Sequence, residues 1–143
     1  MTRANEIATR LRQLGALDGV GVIVDRQKDL SSEVDKFLNN AKGAMVAILW
    51  TGGKLVDGSP LVMDASFEIH IFGRPVIRGS ETPADEMVAA ILPALHDWQA
   101  DTTGHCDWDF KVSGELRIAP DKNFICYFFP VTGRVRLIQP TLL

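Results

Sequence analysis

The sequence predicts an α/β (α+β) fold in which a mixed, mainly antiparallel β-sheet packs against two principal helices. Three observations carry that expectation. From Val62 to Phe72, the residues Met63, Ala65, Phe67, Ile69 and Ile71 alternate with Asp64, Ser66, Glu68 and His70, and only an extended chain sends successive side chains to opposite faces. The run Ala44–Trp50 is apolar throughout and bounded by Gly43 and by Thr51-Gly52-Gly53, which favours a strand covered on both faces and central in the sheet. Residues 2–14 and the stretch from Pro83 repeat apolar side chains at intervals of three and four, the period of a helix with one buried stripe.

Each element follows from its local residues. Thr2 can cap a helix whose stripe is Ala4, Ile7, Ala8, Leu11 and Leu14, with Gly15 as its stop and Arg3, Arg10 and Arg12 on the solvated side. Val20, Val22, Ile23 and Val24 form a β-branched run between Gly19 and the charged turn Asp25–Asp29, which reads as an edge strand. Ser31 or Ser32 can cap a turn carrying Glu33, Val34, Phe37 and Leu38; a short helix and an ordered loop both fit. The glycine-rich segment Gly52–Pro60 reads as a mobile hairpin loop that hands over to the alternating strand, which should bury one face and wet the other.

Beyond Phe72, Gly73-Arg74-Pro75 breaks the ladder, because proline cannot donate to it; Val76 and Ile77 continue briefly. Thr82 is placed as the N-cap of the second helix, Pro83 as its first residue, and Asp85 and Glu86 complement the dipole. Its apolar face is Met87, Val88, Ile91, Leu92 and Leu95. Pro93 costs an ordinary helix interior about 3 kcal/mol, so a kink or a nearby end is expected. After a loop at Asp101–Gly104, Trp108, Phe110 and Val112 alternate as a strand and Gly114 suits a bulge. Leu116 and Ile118, the polar turn Pro120–Asn123 and the aromatic run Phe124–Phe129 read as a hairpin. Pro130 and Gly133 should interrupt it before a last edge strand holding Val135 and Leu137. No repeat or linker divides residues 1–143, which read as a single domain.

Composition narrows the function classes. The 143 residues carry 15 Lys and Arg against 18 Asp and Glu, a formal net charge of -3, which offers no global field for a polyanion; no direct nucleic-acid partner is expected. No apolar run nears the roughly 18 residues that span a bilayer, and Met1–Glu6 lacks the apolar segment of a signal peptide, so no membrane partner and a cytoplasmic site are expected. Cys106 and Cys126 lie in different elements and match no metal-ligand spacing, so both read as reduced thiols.

Asp64, Ser66, Glu68 and His70 form the sharpest candidate constellation, since they must share a strand face. Two carboxylates and an imidazole can bind Mg²⁺ or Mn²⁺ and activate water, which frames an alternative reading as a small metal-dependent hydrolase or nuclease using Asp64, Glu68 and His70. Yet alternate strand residues stand about 7 Å apart, so Asp64 and Glu68 are about twice that distance from each other, and an ordinary solvated sheet face accounts for them as well. His105-Cys106-Asp107 puts nucleophile and ligand types in a row, but neighbours on an extended chain diverge. His96 suits its helix C-terminus. Gly19-Val20-Gly21 and Gly52-Gly53-Lys54 complete no phosphate cradle, and Trp50, Trp98 and Trp108 read as core. The expectation is a protein without catalytic residues, metal or cofactor.

The order of elements carries one resemblance. An N-terminal helix, the strand Ala44–Trp50 leaving through Thr51-Gly52, a glycine-rich loop, the alternating strand Met63–Phe72, Pro75 and the acidic-started helix from Pro83 resemble the tail terminator proteins of long-tailed phages, the family of minor tail protein U in lambda-like phages. Gly114–Ile118 and Phe124–Phe129 are similar to the final hairpin of the related tail proteins of Mu-like prophages. The likeness spans Ala44–Phe129, and Pro93, the segment Trp98–Trp108 and a strand after Pro130 depart from it. It implies a structural subunit made in the bacterial host cytoplasm and carried in the virion tail. Such a subunit self-associates into a hexameric ring that caps the tail tube and meets the tube protein and the head-tail connector protein. By the resemblance, the contact element would be the Gly52–Pro60 loop, with Lys54, Leu55, Val56 and Asp57. Arg74 and Arg78, which flank the break after the alternating strand, read with Lys54 either as cations that meet an acidic partner or as ordinary solubilising charge.

Overall fold

The computed structural model describes residues 2–25, 43–56, 62–74, 83–98, 110–112, 114–120 and 124–136. In chain order these form α1 (Thr2–Arg12), a 3-10 turn (Gly15–Leu17), β1 (Gly21–Asp25), β2 (Ala44–Val56), β3 (Val62–Gly73), α2 (Pro83–Leu95), β4 (Lys111–Val112), β5 (Arg117–Pro120) and β6 (Ile125–Arg136). The six strands make one mixed sheet in the order β1-β2-β3-β6-β4, with β5 also paired to β6. Only β1 and β2 run parallel; every other pairing is antiparallel. The fold is therefore α+β, a mixed, mostly antiparallel sheet with two helices.

Alternation on β3 fixes which residues face the helices. Ala65, Phe67, Ile69 and Ile71 join Val46 and Ile48 of β2 and Phe129 and Val131 of β6, and this apolar layer packs on Ala4, Ile7, Ala8 and Leu11 of α1 and on Ala84, Met87, Ile91 and Leu95 of α2. Full burial of each large side chain contributes about 1.5–3 kcal/mol, and this layer is the main source of stability. The opposite face is not uniformly wet. At one end Met45, Ala47, Phe72 and Cys126 form a second buried cluster, with Ile23, Phe124 and Phe128 against it. The polar face expected along β3 is thus confined to its first two-thirds.

A row of residues with little or no side chain crosses the sheet on the helix side, Gly53 opposite Ala65 and Ala65 opposite Gly133. The row leaves room for larger neighbours. A Cβ on Gly133 would stand 2.5 Å from Cε1 of Phe110, and one on Gly53 would stand 2.5 Å from Sδ of Met63. Phe110 is buried there and is tied to the end of α2: Asp97 N–H donates to its carbonyl and its own N–H donates to Trp98, both at 2.8 Å. Asp97 takes the left-handed conformation (φ 58°) that turns the chain out of the helix.

Four expectations need correction. The Gly52–Pro60 stretch does not begin as a loop: β2 continues through Gly52 and Gly53 to Val56, after a bulge at which the register steps from Trp50↔Phe67 to Gly52↔Ser66. The Thr51 hydroxyl bridges that bulge to the Ser66 carbonyl at 3.1 Å. Second, Pro130 and Gly133 do not interrupt the aromatic strand. β6 runs unbroken to Arg136 and lies inside the sheet, between β3 on one side and β4 and β5 on the other. Pro130 is tolerated because pairing on that side breaks off at Val112↔Val131 and resumes at Arg117↔Phe128, so the missing N–H falls where the ladder is already open. Third, the α1 arginines are not all free in solvent: Arg10 reaches the Ala94 carbonyl and lies over the Trp98 ring, 5.3 Å from its centre, while Arg12 donates to the Val22 carbonyl at 2.8 Å. Fourth, Trp50 is not core; the residue is 45% exposed. Pro93 sits in the last turn of α2, which ends at Leu95. The readings placed on Ser31–Leu38, Asp57, Val76–Thr82, His105–Trp108 and Leu137 fall outside the described residues.

Candidate functional site

The register divides the four polar residues of β3 between different partners. Asp64 stands opposite Lys54 of β2 and Arg134 of β6. The Arg134 guanidinium donates to both its oxygens, Nε to Oδ1 at 2.8 Å and the second nitrogen to Oδ2 at 3.4 Å. Asp64 is thereby flanked by cations across three strands, in the cross-strand geometry that stabilises a sheet. Glu68 turns the other way: its Oε1 lies 2.7 Å from Nε2 of His70.

His70 is held on every side. Its ring stacks on Phe128, directly opposite on β6, at 5.2 Å and 10°, and more loosely on Phe72 at 6.1 Å. A carboxylate can only accept, so Nε2 must carry the proton it donates to Glu68. In the neutral ring Nδ1 is then an acceptor, and the Cys126 thiol faces it at 3.7 Å. Glu68, His70 and Cys126 therefore form a line, carboxylate to imidazole to thiol, whose residue types match those of nucleophilic cysteine sites. The electrostatics oppose that chemistry: burial, and secondarily the charge of Glu68, pushes the Cys126 thiol up to about 12. At neutral pH it stays protonated, the reverse of what a cysteine nucleophile needs. The line serves to order the face, stapling β3 to β6.

Glu68 and His70 are thus drawn together, while Asp64 is held apart by Arg134, so the three do not converge on one point. Among the described residues no group of three or more His, Cys, Asp and Glu side chains is arranged to hold a metal ion. Beside the line, Glu68, Gly114, Glu115, Arg117, Phe128 and Pro130 line an open groove of about 260 Å³. On the helix side, Tyr127 donates its hydroxyl to Asp85 in the first turn of α2. That hydrogen bond, then burial and the Asp85 charge, raises its pKa to about 12.

The expected contact residues are spread out. Lys54, Leu55 and Val56 lie on the far part of β2, with Lys54 exposed and Leu55 58% exposed. Arg74 follows the opposite end of β3, roughly 30 Å away at about 3.3 Å per strand residue. Its N–H donates to the Gly43 carbonyl at 3.0 Å, and its guanidinium lies where a Cβ on Gly43 would be. Asp57 and Arg78 are outside the described residues. Arg134 and Cys126, the partners that decide what Asp64 and His70 do, were missed by sequence reasoning, because only the β3–β6 register brings them alongside.

No protein-family model matches the chain, and no curated protein is significantly similar to it in sequence. No described helix is long and apolar enough to cross a membrane.

Proposed function

We propose that this protein is a structural subunit of a phage tail or tail-like particle, a tail terminator or minor tail protein that works by assembling with copies of itself into a ring capping the tail tube. One observation carries the reading. β2, β3 and β6 continue past the end of β1, whose last pairing is Asp25↔Leu49, as an arm edged by β4 only at Val131 and Thr132 and bearing exposed Trp50, Lys54 and Leu55. An isolated domain gains nothing by holding large apolar side chains in water on a well-paired strand, whereas a subunit that docks there does. The inward engagement of Asp64, Glu68, His70 and Cys126 fits a face built for rigidity. Negative-stain electron microscopy of the concentrated full-length chain is the test: the reading requires closed rings with a central opening, and a field of single small particles would refute it.

A further inference from the structure

We propose that successive copies join head to tail, the outer margin of β2 from Gly53 to Val56 receiving the β5 margin of a second copy so that the two sheets become continuous. This rests on the self-assembling reading above and names the surfaces it uses.

Both margins are open among the described residues. β1 covers β2 only as far as Leu49, and β5 pairs with β6 alone. Each therefore offers a row of backbone donors and acceptors to an incoming strand. Gly52 is not part of that row, because the Trp50 indole N–H already donates to its carbonyl at 2.7 Å.

The side chains match face for face. Leu55 stands opposite Met63 and Trp50 opposite Phe67, which puts both on the helix side, where they are 58% and 45% exposed. Ile118 stands opposite Tyr127, whose hydroxyl reaches α2, so Ile118 is on the helix side too; it is 60% exposed, and neighbouring Leu116 is 42% exposed. Strand addition with the helices on a common side sets these apolar groups against one another. On the other face the β2 margin presents Lys54, opposite Asp64. The β5 margin presents Glu115 and Arg117 on that face, in the groove with Glu68 and Phe128. The register that sets Lys54 of one copy against Glu115 of the next, and not against Arg117, is the one whose charges match. The two margins differ from each other, so the contact is heterologous and propagates or closes into a ring rather than stopping at a dimer.

A contact of about four strand residues and four apolar side chains falls below the roughly 1,000 Å² of a stable isolated interface. Assembly should therefore depend steeply on concentration and be secured by closure. The test uses the full chain, with Leu55→Asp and Ile118→Asp, both at exposed positions, checked for wild-type melting. Size-exclusion chromatography with light scattering reads the association midpoint. Carbodiimide coupling of mixed isotope-labelled and unlabelled chains reads Lys54–Glu115 proximity between copies. The proposal requires each substitution to raise the midpoint at least about tenfold and requires an inter-chain Lys54–Glu115 cross-link in the wild type that either substitution abolishes. Wild type that assembles while both variants assemble equally well, or without that cross-link, overturns the proposed surfaces and leaves the ring reading standing. A wild type that stays monomeric at high concentration overturns both.

Discussion

Alanine placed at two glycines in the same cross-sheet row should have unequal effects. At Gly133 the new Cβ would lie 2.5 and 2.7 Å from Cε1 and Cδ1 of Phe110. That ring cannot retreat, being buried, stacked on Trp98 at 5.3 Å and held by backbone bonds on both sides. Overpacking of a core costs about 1–3 kcal/mol. Taking about 2 kcal/mol, the middle of that range, and a melting shift of about 3–4 °C per kcal/mol for a chain of this size, Gly133→Ala should melt about 6–8 °C below wild type. At Gly53 the nearest atoms are Sδ and Cγ of Met63, at 2.5 and 2.8 Å, but they belong to a flexible, partly exposed side chain that can take another rotamer. Removing a glycine from an extended strand there gains about 0.5 kcal/mol of unfolded-state entropy, so Gly53→Ala should melt within about 2 °C of wild type or slightly above it. Thermal denaturation followed by circular dichroism measures both. Phe110→Leu combined with Gly133→Ala should recover at least about 1 kcal/mol relative to the sum of the single changes. Equal losses at the two glycines, or none at Gly133, would refute the packing argument.

Three further outcomes follow from the polar contacts. Asp64→Asn breaks a pair that is about a quarter exposed on each side and should cost about 1 kcal/mol by denaturant titration, less in high salt. Tyr127 is the only tyrosine, so its phenolate absorbance reports one group. It should titrate near 12 rather than 10.0, and Asp85→Asn should bring the midpoint down by removing the accepting carboxylate. The Cys126 thiol, raised from 9.0 to about 12, should resist alkylation in the native protein at neutral pH and react after unfolding. Both groups are raised in the folded state, so the stability they confer is complete below about pH 9 and is lost as pH climbs toward 12; denaturant midpoints should fall across that window.

Local pattern was enough for some elements and silent on others. β3, α1 and the apolar half of β2 were legible because alternation and three-four spacing report burial directly. The start of α2 at Pro83 was legible because proline suits a first helical turn. The second half of β2 was not, since Gly52 and Gly53 carry loop propensity and only the side chain of Met63, lying over Gly53 from the next strand, supplies what glycine lacks. β6 was misread at Pro130 for a related reason: whether a proline breaks a strand depends on which side its missing N–H faces, a property of the neighbouring strand. The Glu68–His70 contact could have been guessed from their two-residue spacing. Cys126 lies 56 residues beyond His70, and no local signal predicts the register that joins them.

Light scattering across a wide range of concentrations reads the central claim most directly, that this chain acts by fitting against copies of itself. The account predicts a mass that climbs from the 15.7 kDa protomer toward the fixed multiple of a closed ring. A mass that holds at one protomer at the highest attainable concentration would contradict it.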